Sequence, residues 1–111
     1  MRGGIAILGI GLAIWTAAAA AADAPRPLTE LDRIMGKDAR TITALLGPPA
    51  QDDLEGPARR LQFSNAACIL DVYLYPPAPG QVAVATFATA RVPDGRDAER
   101  NSCIAVLRSQ R

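Results

Sequence analysis

Residues 67–75, Ala-Cys-Ile-Leu-Asp-Val-Tyr-Leu-Tyr, have the strongest strand pattern in this chain of 111 residues. Their side chains alternate with period two, so that one face carries Cys68, Leu70, Val72 and Leu74 and the other carries Ile69, Asp71, Tyr73 and Tyr75. This alternation predicts a β-strand with the first set on a buried face. A single strand cannot bury that face alone, so neighbouring elements must pack on it.

Two further extended segments flank this strand in the sequence. Residues 59–64 alternate polar and apolar side chains, and residues 82–92 are rich in alanine and β-branched residues. The Pro-Pro-Ala-Pro-Gly segment at 76–80 is typical of a turn. Together these patterns predict a three-stranded antiparallel meander.

Two short helices are predicted before the meander. The first begins after Thr29 and ends at Gly36, with an apolar stripe made of Leu31, Ile34 and Met35. The second begins after Asp38 and ends at Gly47, with an apolar stripe made of Ile42, Leu45 and Leu46. Residues 50–58 have the composition of a loop.

The end of the chain is expected to close the fold. Residues 96–109 follow the break at 93–95 and are predicted to form a helix with Cys103, Val106 and Leu107 on one side; a fourth strand at 103–107 is the alternative. The expected fold class is therefore α+β, with two short N-terminal helices packed on a three-stranded antiparallel meander and a closing C-terminal helix. We expect one small domain over residues 29–111.

The first 22 residues have the arrangement of a secretory signal peptide. Arg2 is followed by an apolar segment, Ile5 to Trp15, and by small residues that end in Ala22 before Asp23. We expect cleavage between Ala22 and Asp23, an exported periplasmic protein, and an extended leader at 23–28. A retained N-terminal anchor that faces the periplasm is the alternative, since roughly 20 uncharged residues can also span a bilayer.

The two cysteines of the chain, Cys68 and Cys103, are expected to form one structural disulfide. An even number of widely spaced cysteines in a small exported domain is typical of such a bond. A redox-active pair favours the Cys-x-x-Cys spacing, which this chain lacks.

The composition argues against several classes of function. The chain has no histidine, which removes histidine-based catalysis and the commonest ligand for zinc or copper. The acidic cluster Asp52-Asp53-Glu55 lacks the ligand spacing of a calcium loop and is interpreted as a polar loop. Basic and acidic side chains are nearly balanced, without a basic run, which argues against nucleic acid as a partner. We therefore expect no enzyme, no cofactor and no metal site, and membrane contact only if the N-terminal segment is retained.

One family resemblance is carried by a helix end and two strands. The motif Leu45-Leu46-Gly47-Pro48-Pro49, followed by 61–63 and 70–75, resembles the α-α-β-β-β module of the outer-membrane assembly lipoprotein BamE (the SmpA/OmlA group) and half of the β-lactamase inhibitor protein fold. The chain also resembles small exported proteins of proteobacteria. The resemblance implies a helical pair leading into a sheet with one exposed face. This chain lacks the lipidated cysteine of that lipoprotein group.

The strand at 67–75 supplies the candidate binding face. If Cys68 and its alternate neighbours point inward, the outward set is Ile69, Asp71, Tyr73 and Tyr75. Tyrosines on an open strand favour protein recognition. We therefore expect a binding or envelope-assembly accessory protein with a protein partner in the cell envelope. The alternative is an inhibitor of an envelope or secreted hydrolase.

Overall fold

The computed structural model describes residues 25–110, in which four antiparallel strands form one sheet with two helices on one face. The elements in chain order are a 3₁₀ turn (Leu31–Arg33), α1 (Ala39–Leu46), β1 (Gln51–Glu55), β2 (Ala58–Ser64), β3 (Ile69–Tyr75), β4 (Val84–Arg91) and α2 (Arg100–Ser109). The strands lie in the order β1-β2-β3-β4. The predicted signal peptide and its cleavage site at Ala22–Asp23 lie outside the described residues. Neither helix of this part of the chain is both long and apolar enough to cross a membrane.

The prediction of three strands is wrong, because the segment interpreted as a loop contains β1. Its sequence, Gln-Asp-Asp-Leu-Glu, has little strand propensity, and all five residues are exposed. The strand forms through its partner: a two-residue loop, Gly56-Pro57, joins it to β2, and Glu55 pairs with Ala58. Gly56 has a φ of 62°, which fits the first position of the tight turns that join antiparallel strands. A tertiary pairing therefore determines the structure of this segment.

The prediction of two N-terminal helices is also wrong, since only the second is formed. The first is reduced to the 3₁₀ turn Leu31–Arg33. After Gly36, at a φ of 77°, the backbone leaves the helical path and bonds to β4: Gly36 N donates to Ala85 O at 2.8 Å, and Ala85 N donates to Lys37 O at 2.9 Å. The apolar stripe still reaches the core through Ile34, which is fully buried.

The core lies between the helices and the inner face of the sheet. The prediction that Cys68, Leu70, Val72 and Leu74 face inward is confirmed, since each is at most 4% exposed. From the other strands and the helices the core receives the buried side chains Ile42, Leu46, Leu61, Phe63, Ala85, Ala88, Ala90, Ile104 and Leu107. Each fully buried side chain of this size contributes roughly 1.5–3 kcal/mol relative to an exposed one.

The predicted closing helix and disulfide are both present. Helix α2 is capped by Glu99, whose carboxylate accepts from the backbone N–H groups of Asn101 and Ser102. The Cys68–Cys103 bond joins it to the start of β3, with the two Cα atoms 5.9 Å apart. The alternative of a strand at 103–107 is wrong, because these residues are helical.

Candidate functional site: the open face of the sheet

The face of the sheet opposite the helices is named here the open face. Cross-strand pairs place side chains from all four strands on it: Asp53, Arg60, Tyr73 and Phe87 form one row, and Gln51, Gln62, Asp71 and Thr89 form the next. Ile69 pairs with Arg91 in the row beyond. The four residues of the candidate binding face therefore lie together, and residues of β1, β2 and β4 extend their surface.

Asp71 lies at the centre of the open face, yet its side chain is only 3% exposed. Its carboxylate accepts a hydrogen bond from Gln62 Nε2 at 2.9 Å and another from Arg91 Nη1. Arg60 Nη1 is 3.8 Å from the same carboxylate. A buried charge is tolerated when it is paired and hydrogen-bonded, and both conditions are met here. Asp71 therefore orders its neighbours and offers little contact area of its own.

Arg60 connects this centre to the outer strand. Its guanidinium donates to Gln51 Oε1 at 2.8 Å and to Asp53 Oδ1 at 3.3 Å, and it lies 3.5 Å from Glu55 Oε2. The hydrogen bond to Asp53 is the largest of the effects that raise the pKa of Arg60, followed by attraction to the nearby carboxylates. These contacts hold one half of the open face in a defined arrangement of charges.

The other half of the open face is aromatic. The rings of Tyr73 and Phe87 are tilted by 37° with centroids 5.8 Å apart, which is within the range of favourable aromatic pairs. Phe87 is 53% exposed and Tyr75 is 38% exposed, both high values for aromatic side chains. We call Tyr73, Tyr75 and Phe87 the aromatic patch.

Phe87 was not identified from the sequence, because β4 is irregular. A shift of register between Tyr73 and Leu74 leaves Thr86 unpaired, and both Ala85 and Ala88 are buried. Alternating side chains change faces at such a bulge. The period-two pattern therefore does not predict on which face of the sheet Phe87 lies. The aromatic content of residues 82–92 was the available signal, since Phe87 is the one aromatic residue in that range.

The acidic cluster Asp52-Asp53-Glu55 lies on a strand and not in a loop, so its interpretation as a polar loop is wrong. Asp52 forms a bidentate pair with Arg59 at 2.9 and 2.7 Å, and this hydrogen bonding lowers the pKa of Asp52. Within residues 25–110, no group of three or more Asp, Glu, Cys or His side chains is arranged to hold a metal ion.

A cleft lies on the helix side of the sheet. It has a volume of about 750 Å³ and lies where α1, α2 and the β2–β3 connection meet. Its lining combines the apolar Leu46 and Leu107 with Thr43, Ser64, Asn65 and Gln110. The Nδ2 group of Asn65 donates to Gln110 Oε1 at 2.6 Å, so these two amides bond to each other. Among the described residues, no charged side chain lines this cleft. Because the open face has both charged and aromatic side chains, we place the candidate site there.

Comparison with protein-family models, with curated proteins and with solved structures finds no match for this chain. The resemblance to the BamE module therefore stays a prediction.

Proposed function

We propose that this chain is an exported, non-catalytic binding protein that acts in the cell envelope through the open face of its sheet. The aromatic patch carries the proposal: Tyr75 and Phe87 are exposed on a face that neither helix covers. Aromatic side chains supply most of the binding energy in many protein interfaces. The partner that suits this surface is a protein with an apolar area next to polar groups, and envelope assembly is the role that the BamE resemblance implies.

The polar side chains around Asp71 on the open face support a binding role. Asp71, Arg60, Arg91 and Gln62 are fixed by mutual contacts before any partner arrives. A surface that is already ordered loses less conformational entropy on binding. The aromatic patch therefore lies beside a polar area that helps to orient the partner.

Two features of the structure support the proposed export. The Cys68–Cys103 disulfide is a type of bond that persists in oxidising compartments. Residues 25–29 are exposed, so the segment that follows the proposed cleavage site is accessible.

The test is partner capture with variants of the aromatic patch. Tyr75→Ser and Phe87→Ser remove exposed rings, and Leu28→Ser removes an exposed side chain, 69% accessible, from the leader. The oxidised protein is used to capture partners from an envelope extract. We expect both patch variants to lose at least about 90% of the captured partner, since a hot-spot residue contributes 2 kcal/mol or more. The Leu28→Ser control should capture normally, and an unchanged yield with both patch variants would refute the proposal.

Inhibition of an envelope or secreted hydrolase is the second candidate. It is favoured by the connection at residues 76–82, which contains three prolines and ends in Val82, 69% exposed. Prolines limit the flexibility of such a loop and lower the entropic cost of inserting it into a cleft. Assays against a panel of envelope hydrolases test this candidate, with Val82→Asp as the variant that should abolish inhibition. Absence of inhibition across the panel would exclude it.

A further inference from the structure

The two edges of the sheet differ in what covers their backbone. Along β4, Gly36 and Lys37 bond to Ala85, and Ala98 N donates to Ala90 O at 2.9 Å. Arg100 Nη1 also donates to Ala88 O at 3.4 Å. Along β1, by contrast, all five residues are exposed, and within residues 25–110 no segment pairs with the outer edge. The unpaired backbone groups of β1 can therefore accept another strand.

The helix layer also stops short of β1. Leu54 lies on the helix side of the sheet, opposite Arg59, and is 80% exposed. A strand added beyond β1 would place one side chain directly opposite Leu54, at roughly 5 Å between the Cβ atoms. An added strand would therefore bury apolar surface as well as pair the backbone.

The charges of β1 select against pairing with a second copy of this chain. An antiparallel pair of β1 strands centred on Asp52 or Asp53 places two identical carboxylates opposite each other. A pair centred on Leu54 places Asp53 opposite Glu55 twice. Like charges directly opposite are destabilising. Arg59 and Arg60 pair with these carboxylates, but both arginines belong to the neighbouring strand β2. The charged side chains of the edge strand β1 are therefore all acidic.

We propose that β1 binds an extended, basic segment of a partner protein as a fifth strand of the sheet. Lysine or arginine of that segment would lie opposite Asp53 and Glu55 on the open face, and an apolar side chain would lie opposite Leu54 on the helix side. Strand addition gives affinity through the backbone and specificity through alternate side chains. This inference goes beyond the proposed function and does not depend on the aromatic patch.

The test uses a synthetic peptide, acetyl-Thr-Lys-Ile-Arg-Lys-Thr-amide, and ¹⁵N-labelled oxidised protein purified after export in an expression host. In antiparallel pairing, its Ile lies opposite Leu54 and its Arg opposite Asp53. We expect chemical-shift changes and slower amide exchange concentrated in residues 51–55. A control peptide with Glu at the three basic positions should bind at least about tenfold more weakly, since each attractive cross-strand pair becomes repulsive.

Two charge reversals separate strand pairing from general attraction to a basic peptide. Asp53→Lys changes β1, and Asp94→Lys makes the same change of charge at an exposed turn residue outside the sheet. We expect Asp53→Lys to weaken binding about fivefold or more and Asp94→Lys less than about twofold. Equal weakening by both variants would overturn the proposal. So would shift changes centred outside β1, no response at millimolar peptide, or concentration-dependent self-pairing through β1.

Discussion

Replacing Asp71 by alanine tests whether the buried carboxylate holds the open face together. In the folded protein this carboxylate accepts from Gln62 and Arg91 and lies near Arg60, with only 3% of its side chain exposed. Asp71→Ala removes all three contacts and leaves the two guanidinium groups and the Gln62 amide without their common partner. Arg60 keeps its contacts with Gln51, Asp53 and Glu55 on β1 after this change.

The expected loss of stability follows from the exposure of the remaining charges. Breaking a fully buried ion pair costs about 3–5 kcal/mol, and an exposed pair contributes about 0–1 kcal/mol. The side chains of Arg91 and Arg60 are 38% and 21% exposed, so both regain part of their hydration when Asp71 is removed. We therefore expect Asp71→Ala to lower the free energy of unfolding by about 2 kcal/mol.

Urea unfolding of the oxidised protein, followed by circular dichroism, measures this loss. With an m value near 1 kcal/mol/M for a chain of this size, the midpoint should fall by roughly 2 M. Asp53→Ala is the matched control, since Asp53 also contacts Arg60 but its side chain is 51% exposed, and it should cost less than about 0.5 kcal/mol. Asp71→Asn should lie between the two variants. Equal losses for Asp71→Ala and Asp53→Ala would refute the reasoning, because burial would then have no effect.

Three further predictions concern the Cys68–Cys103 disulfide, the ion pair between Glu30 and Arg108, and the turn between β1 and β2. Replacing both Cys68 and Cys103 by serine should lower the free energy of unfolding by roughly 4 kcal/mol on the chain-entropy model, and a reducing agent should then have no further effect on the urea midpoint. The hydrogen bond with Arg108 is the chief reason why the pKa of Glu30 in the folded protein lies below its ordinary value of 4.5. The ionised Glu30 therefore stabilises the fold above pH 4.5, and this stabilisation is lost as the pH falls through the pKa of the folded state. Urea midpoints measured from pH 6 to pH 3 should therefore decline, and Glu30→Gln should make the decline shallower; an unchanged slope would contradict this role. Gly56→Ala should cost about 1 kcal/mol by urea unfolding, because a φ of 62° is strained for a residue with a Cβ; an unchanged midpoint would show that the turn relaxes.

The accuracy of the sequence-based predictions depended on whether a segment buries apolar side chains of its own. Strand β3 and its inward face were predicted from period two, since one side of the strand is fully buried. Helix α1 was predicted from its Asp38 cap, its apolar stripe and Gly47, which are all local signals. Strand β1 has no buried side chain, so its hydrophobic pattern carries no signal for a strand.

The candidate site was predicted in part for the same reason. The outward position of Tyr73 and Tyr75 follows from the alternation of β3. Phe87 joins them only because Thr86 bulges out of β4, and a bulge depends on pairing with another strand. The burial of Asp71 was also unpredictable from β3 alone, since Gln62 and Arg91 come from the two neighbouring strands.

The amino-acid sequence alone predicts the α+β class, strand β3, helix α1, helix α2 and the pairing of Cys68 with Cys103. These features depend on local periodicity, on caps and on the presence of only two cysteines. Three features became visible only in the folded structure: the additional strand β1, the reduction of the first predicted helix to one 3₁₀ turn, and the set of residues on the open face. Each of these depends on backbone pairing with another segment, such as Gly36 with β4 or β1 with β2, and this pairing leaves no periodic pattern in the sequence around Gly36 or in β1.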